Sequence, residues 1–303
     1  MRRFLLILVL AVVALLVIAV GGAAWLIHDE AFLRAQVSRI VHAHTGRELR
    51  IQEPLSLALG RQTTLETGGI VLANADWAEN PEMVRIGRLK LTVDLFSLIG
   101  GPAHLHELEL EDCTIELIRN DAGEANWALA PGETATQARD DAPSAFPRID
   151  RLAIDRCDLT LDAPERTQAL STVVTEARLV RTADARAAGH VDGSLDGENL
   201  AIRGWIAPVT AFREGGPLRH ELQLHAGPVQ LDSAGTIDDV RQLSGLELNA
   251  RFSGPDIGTL LRNFQQPPFS EGPFDFRIDL NTRGDLTAID IDGDLGDLEI
   301  FAS

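Results

Sequence analysis

The chain has 303 residues, which is long enough for one large domain or two smaller ones with a real hydrophobic core. It carries 45 acidic and 27 basic side chains, and its net charge of −18 excludes a typical nucleic-acid partner, because phosphate binding needs clustered cations. Its two cysteines are too few for a disulfide framework.

The N-terminal segment predicts a transmembrane helix. Residues 4–27 contain no charged side chain, and a helix of these 24 residues crosses the roughly 30 Å hydrocarbon core of a bilayer. Arg2 and Arg3 precede the segment and acidic residues follow it, so the positive-inside bias keeps the N-terminus cytoplasmic. The alternative is a signal peptide cleaved near residues 22–24, although the apolar run exceeds the usual length of about 7–15 residues. Both interpretations export the remaining chain, and the first predicts a single-pass protein of the bacterial inner membrane with its bulk in the periplasm.

An amphipathic helix is predicted directly after this segment. Asp29 is a typical N-cap and Gly46 a typical C-terminal stop. Between them one stripe recurs at helical spacing and consists of Leu33, Val37, Ile40, Val41 and His44. We expect this stripe to cover an open end of a sheet, and the alternative is that it lies on the outer surface of the membrane.

After Gly46 apolar residues alternate with polar ones, which is typical of strands with one apolar face. Because most connections are too short for a crossover helix, we expect consecutive antiparallel strands. Residues 131–147, rich in Ala, Thr, Asp and Pro, predict an exposed loop. This loop separates a β region with its capping helix at residues 28–130 from a continuing β-repeat region at 148–303, while residues 1–27 form the cytoplasmic tip and the anchor. The last residues stop within a strand pattern, so we expect a chain truncated at its C-terminus.

Three segments share one apolar pattern, namely residues 106–117, 152–161 and 220–231. In each segment the apolar positions change parity at the same point, which requires a bulge or a tight turn to keep them on one face. The recurrence predicts an elongated sheet of stacked units. Cys113 and Cys157 occupy the same repeat position. We expect two separate buried thiols there, and the alternative is a disulfide between neighbouring strands.

Two local patterns occur near the C-terminus. A short helix is predicted near residues 256–264, with Asp256 as N-cap and with a buried side formed by Leu260, Leu261 and Phe264. Asp290, Asp292 and Asp294 have the spacing of a calcium loop, but the glycine and glutamate that such a loop needs further on are missing. We therefore expect these three carboxylates on the solvated face of a strand.

The sequence contains no signature of catalysis. A nucleophile elbow, a P-loop and a dinucleotide-binding glycine motif are all missing, so we predict neither an enzyme nor a cofactor. His104 and His106 could share a strand face as metal ligands. No third ligand is evident from the spacing, and zinc needs three or four, so we predict no metal site.

Five motifs follow one another within residues 1–130. They are the apolar anchor, Thr45-Gly46-Arg47, residues 81–98, residues 108–119, and Gly123-Glu124-Ala125-Asn126-Trp127. In this order they resemble the N-terminal region of the AsmA family, which comprises periplasmic proteins anchored in the inner membrane of Gram-negative bacteria. The last motif is similar to the family's G-x-x-N-W.

The resemblance implies a sheet of repeats that curls into a long groove with an apolar inside, thought to carry phospholipids between the two membranes. The predicted fold class is therefore mainly β, with a transmembrane helix and an amphipathic helix followed by an elongated, twisted antiparallel sheet that forms an apolar groove. The expected partners are the inner membrane, phospholipid, and outer-membrane or assembly-machinery proteins. The function implied is phospholipid transport that supports outer-membrane biogenesis.

Candidates for the lining of this groove are the alternating apolar residues Ile70, Leu72, Leu89, Leu91, Val93, Leu108, Leu110, Ile115 and Leu117. The alternative for each of them is the core of an ordinary sandwich or barrel, which alternation alone does not distinguish. The alternative function is a scaffold that assists the assembly of outer-membrane proteins by strand addition at a sheet edge, without conducting lipid.

Overall fold

The computed structural model describes residues 30–94, 97, 104–128, 148–164, 168–211, 215–240, 244–263, 270–283, 286–296 and 298–302. The predicted transmembrane helix, the Asp29 cap and the loop at 131–147 lie outside these residues. Among the described helices, none combines the length and the apolar character that a membrane crossing requires.

The described residues form two α-helices and sixteen strands. The helices are α1 (Glu30–Thr45) and α2 (Ile257–Asn263). The first strands are β1 (Leu49–Ile51), β2 (Ser56–Ala58), β3 (Gln62–Ala73), β4 (Glu82–Asp94), β5 (His104–Ile118), β6 (Arg148–Ile149), β7 (Arg151–Asp162) and β8 (Leu170–Arg181). The others are β9 (Ala187–Leu195), β10 (Glu198–Ala207), β11 (Leu218–Ala226), β12 (Val229–Asp239), β13 (Ser244–Gly254), β14 (Phe274–Arg283), β15 (Leu286–Leu295) and β16 (Leu298–Ala302).

The chain divides into two compact units, of which unit 1 ends at Arg178 and unit 2 begins at Leu179. In unit 1 the strand order is β1-β3-β4-β5-β7-β8, with β2 beside β3 and β6 beside β5. The pairs β3–β4 and β4–β5 are antiparallel, as predicted. However, β5 pairs with β6 and β7 in parallel. This corrects the expectation of antiparallel strands throughout, and residues 119–150 are long enough to return the chain to the same end of the sheet.

The parallel pair confirms the repeat predicted from the sequence. Leu108 pairs with Leu152 and Cys113 with Cys157, so the register equals the repeat offset of 44 residues. The parity change coincides with left-handed backbone at Asp112 (φ 53°) and Arg156 (φ 55°) in these two strands. In the third segment it falls at Gly227, in the turn between β11 and β12. The predicted bulge or tight turn is therefore present in all three segments.

The parity change runs across four strands of unit 1 in one row. Gly69, Gly87, Asp112 and Arg156 lie opposite one another at this row, and the register on either side of it is unchanged. All four strands change the parity of their apolar positions at this row. The apolar side chains on both sides of the row therefore stay on the same face of the sheet. A Cβ on Gly87 would lie only 2.8 Å from the Cβ of Asp112, so glycine is required there.

Cys113 and Cys157 form a disulfide, with their Cα atoms 4.4 Å apart. The expectation of two separate thiols is therefore wrong. The parallel register is the physical reason, because it places equivalent positions of two repeats side by side. At the preceding row Arg156 donates two hydrogen bonds, of 2.6 and 2.9 Å, to the Asp112 carboxylate.

Helix α1 covers the apolar face of unit 1. Leu33, Val37 and Val41 are each 3% exposed and pack in one cluster with apolar residues of β3, β4 and β5. Gly46 (φ 67°) ends the helix, and its N–H donates to the His42 carbonyl at 2.8 Å. The stripe is therefore buried against the sheet, as predicted, but it covers the apolar face and not an open end. The side chain of His44 lies outside the described residues.

A buried amide network joins the end of β3 and the end of β5 to the segment after β5. Asn126 is fully buried, and its side chain accepts from the Ile118 N–H and donates to Asn74 Oδ1 and to the Glu116 carbonyl, at 2.8–3.0 Å. Asn74 in turn donates to the Glu116 carboxylate at 3.0 Å. Every hydrogen-bonding group of the Asn126 side chain therefore has a partner, which gives the G-x-x-N-W motif a structural role.

Unit 2 contains consecutive antiparallel strands in the order β9 to β16. Asp256 caps α2 and accepts from the N–H groups of Gly258 and Thr259 at 3.1 Å each, as predicted. Hydrogen bonds from the Thr259 hydroxyl and the Gly272 N–H lower the pKa of Asp256 to about 2. Leu261 is half-buried, whereas the side chains of Leu260 and Phe264 lie outside the described residues.

The three aspartates near the C-terminus occupy the face predicted for them. Asp290, Asp292 and Asp294 are exposed on β15, while Ile291 between them is half-buried. This confirms the interpretation of alternating carboxylates on a solvated strand face.

Removing the disulfide should destabilise unit 1. Replacing both cysteines, Cys113→Ser and Cys157→Ser, frees a loop of 44 residues in the unfolded chain. We expect the free energy of unfolding to fall by about 3 kcal/mol, measured by urea denaturation. A reducing agent should lower the stability of the natural chain by a similar amount and leave the double variant unchanged. An equal effect of reductant on both proteins would contradict the pairing.

Asn126→Ala should also destabilise unit 1, because it leaves the Ile118 N–H and the Glu116 carbonyl without a partner in a buried site. We expect a loss of about 3 kcal/mol in the free energy of unfolding, since each orphaned buried group costs about 1–3 kcal/mol. Asn199→Ala, at an exposed side chain, serves as the matched control and should change stability little. Equal stability of the two variants would argue against the network.

Candidate functional site

The nine predicted groove residues lie on the apolar face of unit 1, where most are packed by the chain itself. Seven of them are at most 6% exposed, namely Ile70, Leu72, Leu89, Leu91, Val93, Leu108 and Leu117. Leu110 and Ile115 are half-buried against the same cluster. This part of the face is an ordinary helix-on-sheet core, so contact of these residues with lipid stays a prediction.

The apolar residues of this face become more exposed to solvent from β4 towards β8. Leu91 on β4 is 2% exposed and Leu108 on β5 is 4% exposed. Leu152 and Ile154 on β7 and Val174 on β8 are only half-buried, although they contact the same cluster. Helix α1 has 16 residues and is therefore about 24 Å long, which is enough to cross about five strands. Apolar side chains on strands further away need another partner to shield them from water.

Unit 2 presents a second apolar face, built by the cross-strand register. One row consists of Val191, Ile202, Leu224, Leu231, Phe252 and Phe276. A neighbouring row contains Leu222, Ala250, Ile278 and Ile291, and a third contains Leu248, Leu280 and Ile289. We call these three rows the open face. At about 4.8 Å between strands, it extends about 29 Å from β9 to β15.

The opposite face of unit 2 is polar and carries ion pairs. Arg203 binds Asp192 at 2.8 Å, and Arg251 binds Asp275 through two hydrogen bonds. Trp205 donates its indole N–H to Glu221 at 3.0 Å. The strands therefore have two distinct sides, and alternation places every open-face residue away from these charges.

Most of the open face is exposed or half-buried. Leu222 is 39% exposed and Ile289 is 45% exposed, whereas leucines at equivalent strand positions beneath α1 are nearly inaccessible. Helix α2 packs at one end of the face, where Ile257 meets Phe274 and Leu295. The described cover is thus confined to that end, and the remaining apolar surface can accept a ligand.

The alternating pattern of the sequence contained the open face but did not distinguish it from a covered one. Leu222, Leu224 and Leu231 belong to the third repeat segment, yet they have the same alternation as the covered residues of unit 1. The usable signal is the shortage of helices, since the described helices of 16 and 7 residues cannot cover so many strands.

Comparisons with known proteins agree with the residues that resemble a family. The sequence model of the AsmA family matches residues 1–196. The chain is also 23% identical to the AsmA family protein YhjG of Escherichia coli (strain K12) over 333 aligned positions, which cover 98% of this chain and 47% of that protein. The chain therefore spans about half the length of this curated relative. Since the family model matches well over half of its residues, the chain belongs to the AsmA family.

Proposed function

We propose that this protein binds phospholipid on the open face of unit 2 and transports it between membranes, in support of outer-membrane biogenesis. The observation that carries the proposal is the set of apolar rows on unit 2 that are exposed or half-buried. Membership of the AsmA family supports the same role. The proposal includes the N-terminal anchor in the inner membrane, a periplasmic location, and the curling of the sheet into a groove.

The energetics of acyl chains suit such a face. Each buried methylene contributes about 0.8 kcal/mol, so ten methylenes laid along the face contribute roughly 8 kcal/mol. The rows contain aliphatic and aromatic side chains of similar character, so a chain that slides from one row to the next exchanges like contacts for like. Binding without a single deep site favours movement, and the headgroup can remain in water.

The proposed function requires no catalytic group. Transport along an apolar face depends on the continuity of that face and on the exclusion of charge from it. The polar side of the sheet satisfies the second condition, because its arginine–carboxylate pairs lie on the side away from the lipid. We accordingly propose a carrier and not an enzyme.

A charge on the open face should abolish lipid binding. Leu224→Glu places a carboxylate between Ile202 and Leu231, where it cannot be solvated once acyl chains are bound. We expect the phospholipid recovered with the purified full chain to fall at least about tenfold, the change that about 1.4 kcal/mol of binding free energy produces. Extracted phosphate per mole of protein is the measurement.

Gln223→Glu is the matched control, because it introduces the same charge one residue away on the polar face. It should leave the lipid content unchanged. Equal lipid content in the natural chain and in both variants would refute the proposal. If the Leu224→Glu chain then also restored the outer-membrane barrier in cells that lack the gene as well as the natural chain does, strand addition at a sheet edge would become the favoured function.

A core substitution in unit 1 should lower stability but leave lipid binding unchanged. Leu91→Ala removes a side chain that is 2% exposed beneath α1, and we expect the free energy of unfolding to fall by about 2–4 kcal/mol. Lipid bound per folded molecule should not change, because Leu91 is already covered. Loss of lipid at unchanged stability would instead place Leu91 in the lining.

A further inference from the structure

Three side chains with metal-ligand atoms meet where β4 ends and β5 begins, and a fourth, Asp150, lies beside the two histidines. Asp94 is the last residue of β4, His104 is the first of β5, and the ligand atoms of Asp94, His104 and His106 all lie within 4.8 Å of one another. Asp150 follows β6, and its Oδ2 lies 2.6 Å from His104 Nε2 and 3.3 Å from His106 Nδ1. The structure thus supplies partners for the histidine pair that spacing alone did not reveal.

A β-bulge brings the two histidines together. Thr92 pairs with Glu107 but Val93 pairs with Leu105, so His106 is an extra residue on β5. The bulge allows Leu105 and Leu108, three residues apart, both to enter the core at 0% and 4% exposure. The rings of His104 and His106 lie 4.2 Å apart between centroids. Bulges commonly re-aim side chains at sites of this kind.

Asp150 is held so that one oxygen points to both histidines. Its N–H donates to the Leu105 carbonyl at 2.9 Å, and Arg148 Nε donates to Oδ1 at 3.1 Å. Oδ2 is left for the two imidazoles. Burial opposes ionisation of Asp150, but hydrogen bonds from His104 and Arg148 outweigh it and hold its pKa below the usual value. Orientation of a ligand by a second residue is typical of metal sites.

Two further observations support the cluster. The Ser97 hydroxyl donates to the Asp94 carbonyl at 2.6 Å and accepts from the His104 N–H at 2.9 Å, which ties the end of β4 to the start of β5. Nε2 of His106 is buried and has no hydrogen-bond partner among the described residues. A buried ring nitrogen without a partner is costly unless something binds it.

We propose that Asp94, His104 and His106 bind a divalent transition-metal ion of the Zn²⁺ class, and that Asp150 orients the two imidazoles. Two imidazoles and one carboxylate are a ligand set that zinc accepts, and a water molecule can complete the coordination. Tetrahedral coordination needs ligand atoms about 3.3 Å apart, which small side-chain movements can reach from the present separations. The side chains of His104, His106 and Asp150 are 21–24% exposed, so the ion has a route in from solvent.

The bound ion would join the end of β4 to the start of β5, and Asp150 would link both histidines to the segment after β6. These elements lie on three separate stretches of the chain, so metal binding should stabilise unit 1 as any ligand of the folded state does. The site is distinct from the open face, and its existence does not depend on lipid binding.

Metal titration of the full chain tests the proposal. The chain, purified without a histidine tag and stripped by a chelator, is titrated with Zn²⁺ against a chromophoric competitor, and with Co²⁺ to record its ligand-field spectrum. We expect one ion per chain and a rise in the melting temperature with Zn²⁺. His106→Ala should lose both the bound ion and the thermal shift, and Asp150→Asn should weaken zinc binding about 10–100-fold, because it no longer orients the two imidazoles.

His225→Ala is the matched control, because it removes an exposed histidine of unit 2, and it should bind zinc as the natural chain does. Asp150→Asn nearly preserves the volume of the side chain, so it reports on the site even if His106→Ala fails to fold. A natural chain that binds no stoichiometric ion would overturn the proposal. Zinc affinity and thermal shift unchanged in Asp150→Asn would also overturn it and leave a histidine–aspartate cluster that only links strand ends.

Discussion

An apolar face of a sheet has to be shielded from water. Whether a helix packs on that face decides whether each unit of this protein has a buried core or an accessible apolar surface. In unit 1 helix α1 packs on that face, and the leucines and valines beneath become core. In unit 2 the described cover is a helix of seven residues at one end. The same alternating pattern therefore gives a packed interior in one unit and an accessible apolar surface in the other.

The two-sidedness of the sheet depends on register. In unit 1 a row of left-handed or glycine residues turns four strands together, so that a change of parity never moves a leucine to the polar side. In unit 2 the hairpins keep the apolar residues of successive strands on one face, with small residues such as Ser233 and Gly235 between some of them. An apolar ligand needs this continuity, because a single charge in the middle of a row would have to be desolvated.

Several features were predictable from local patterns. The helical stripe from Leu33 to Val41, the Gly46 stop, the Asp256 cap and the 44-residue repeat are all written in short-range spacing, and the structure contains each of them. The parallel pairing of β5 with β7 was not predictable, because it depends on where a long connection returns the chain. The disulfide and the approach of Asp150 to the histidines follow from this one pairing, so the disulfide was only the alternative interpretation and the approach of Asp150 was missed. Which apolar residues remain open was hidden for a related reason, since cover is a property of the tertiary structure.

Photocrosslinking in living cells tests the central claim most directly. A photoreactive amino acid at Leu222, on the open face, is compared with one at the neighbouring Gln223, on the polar face, in cells grown with radioactive phosphate. The account predicts a labelled phospholipid adduct at position 222 and none at position 223. An adduct at neither position, or equal labelling at both, would show that the open face is not a path for lipid.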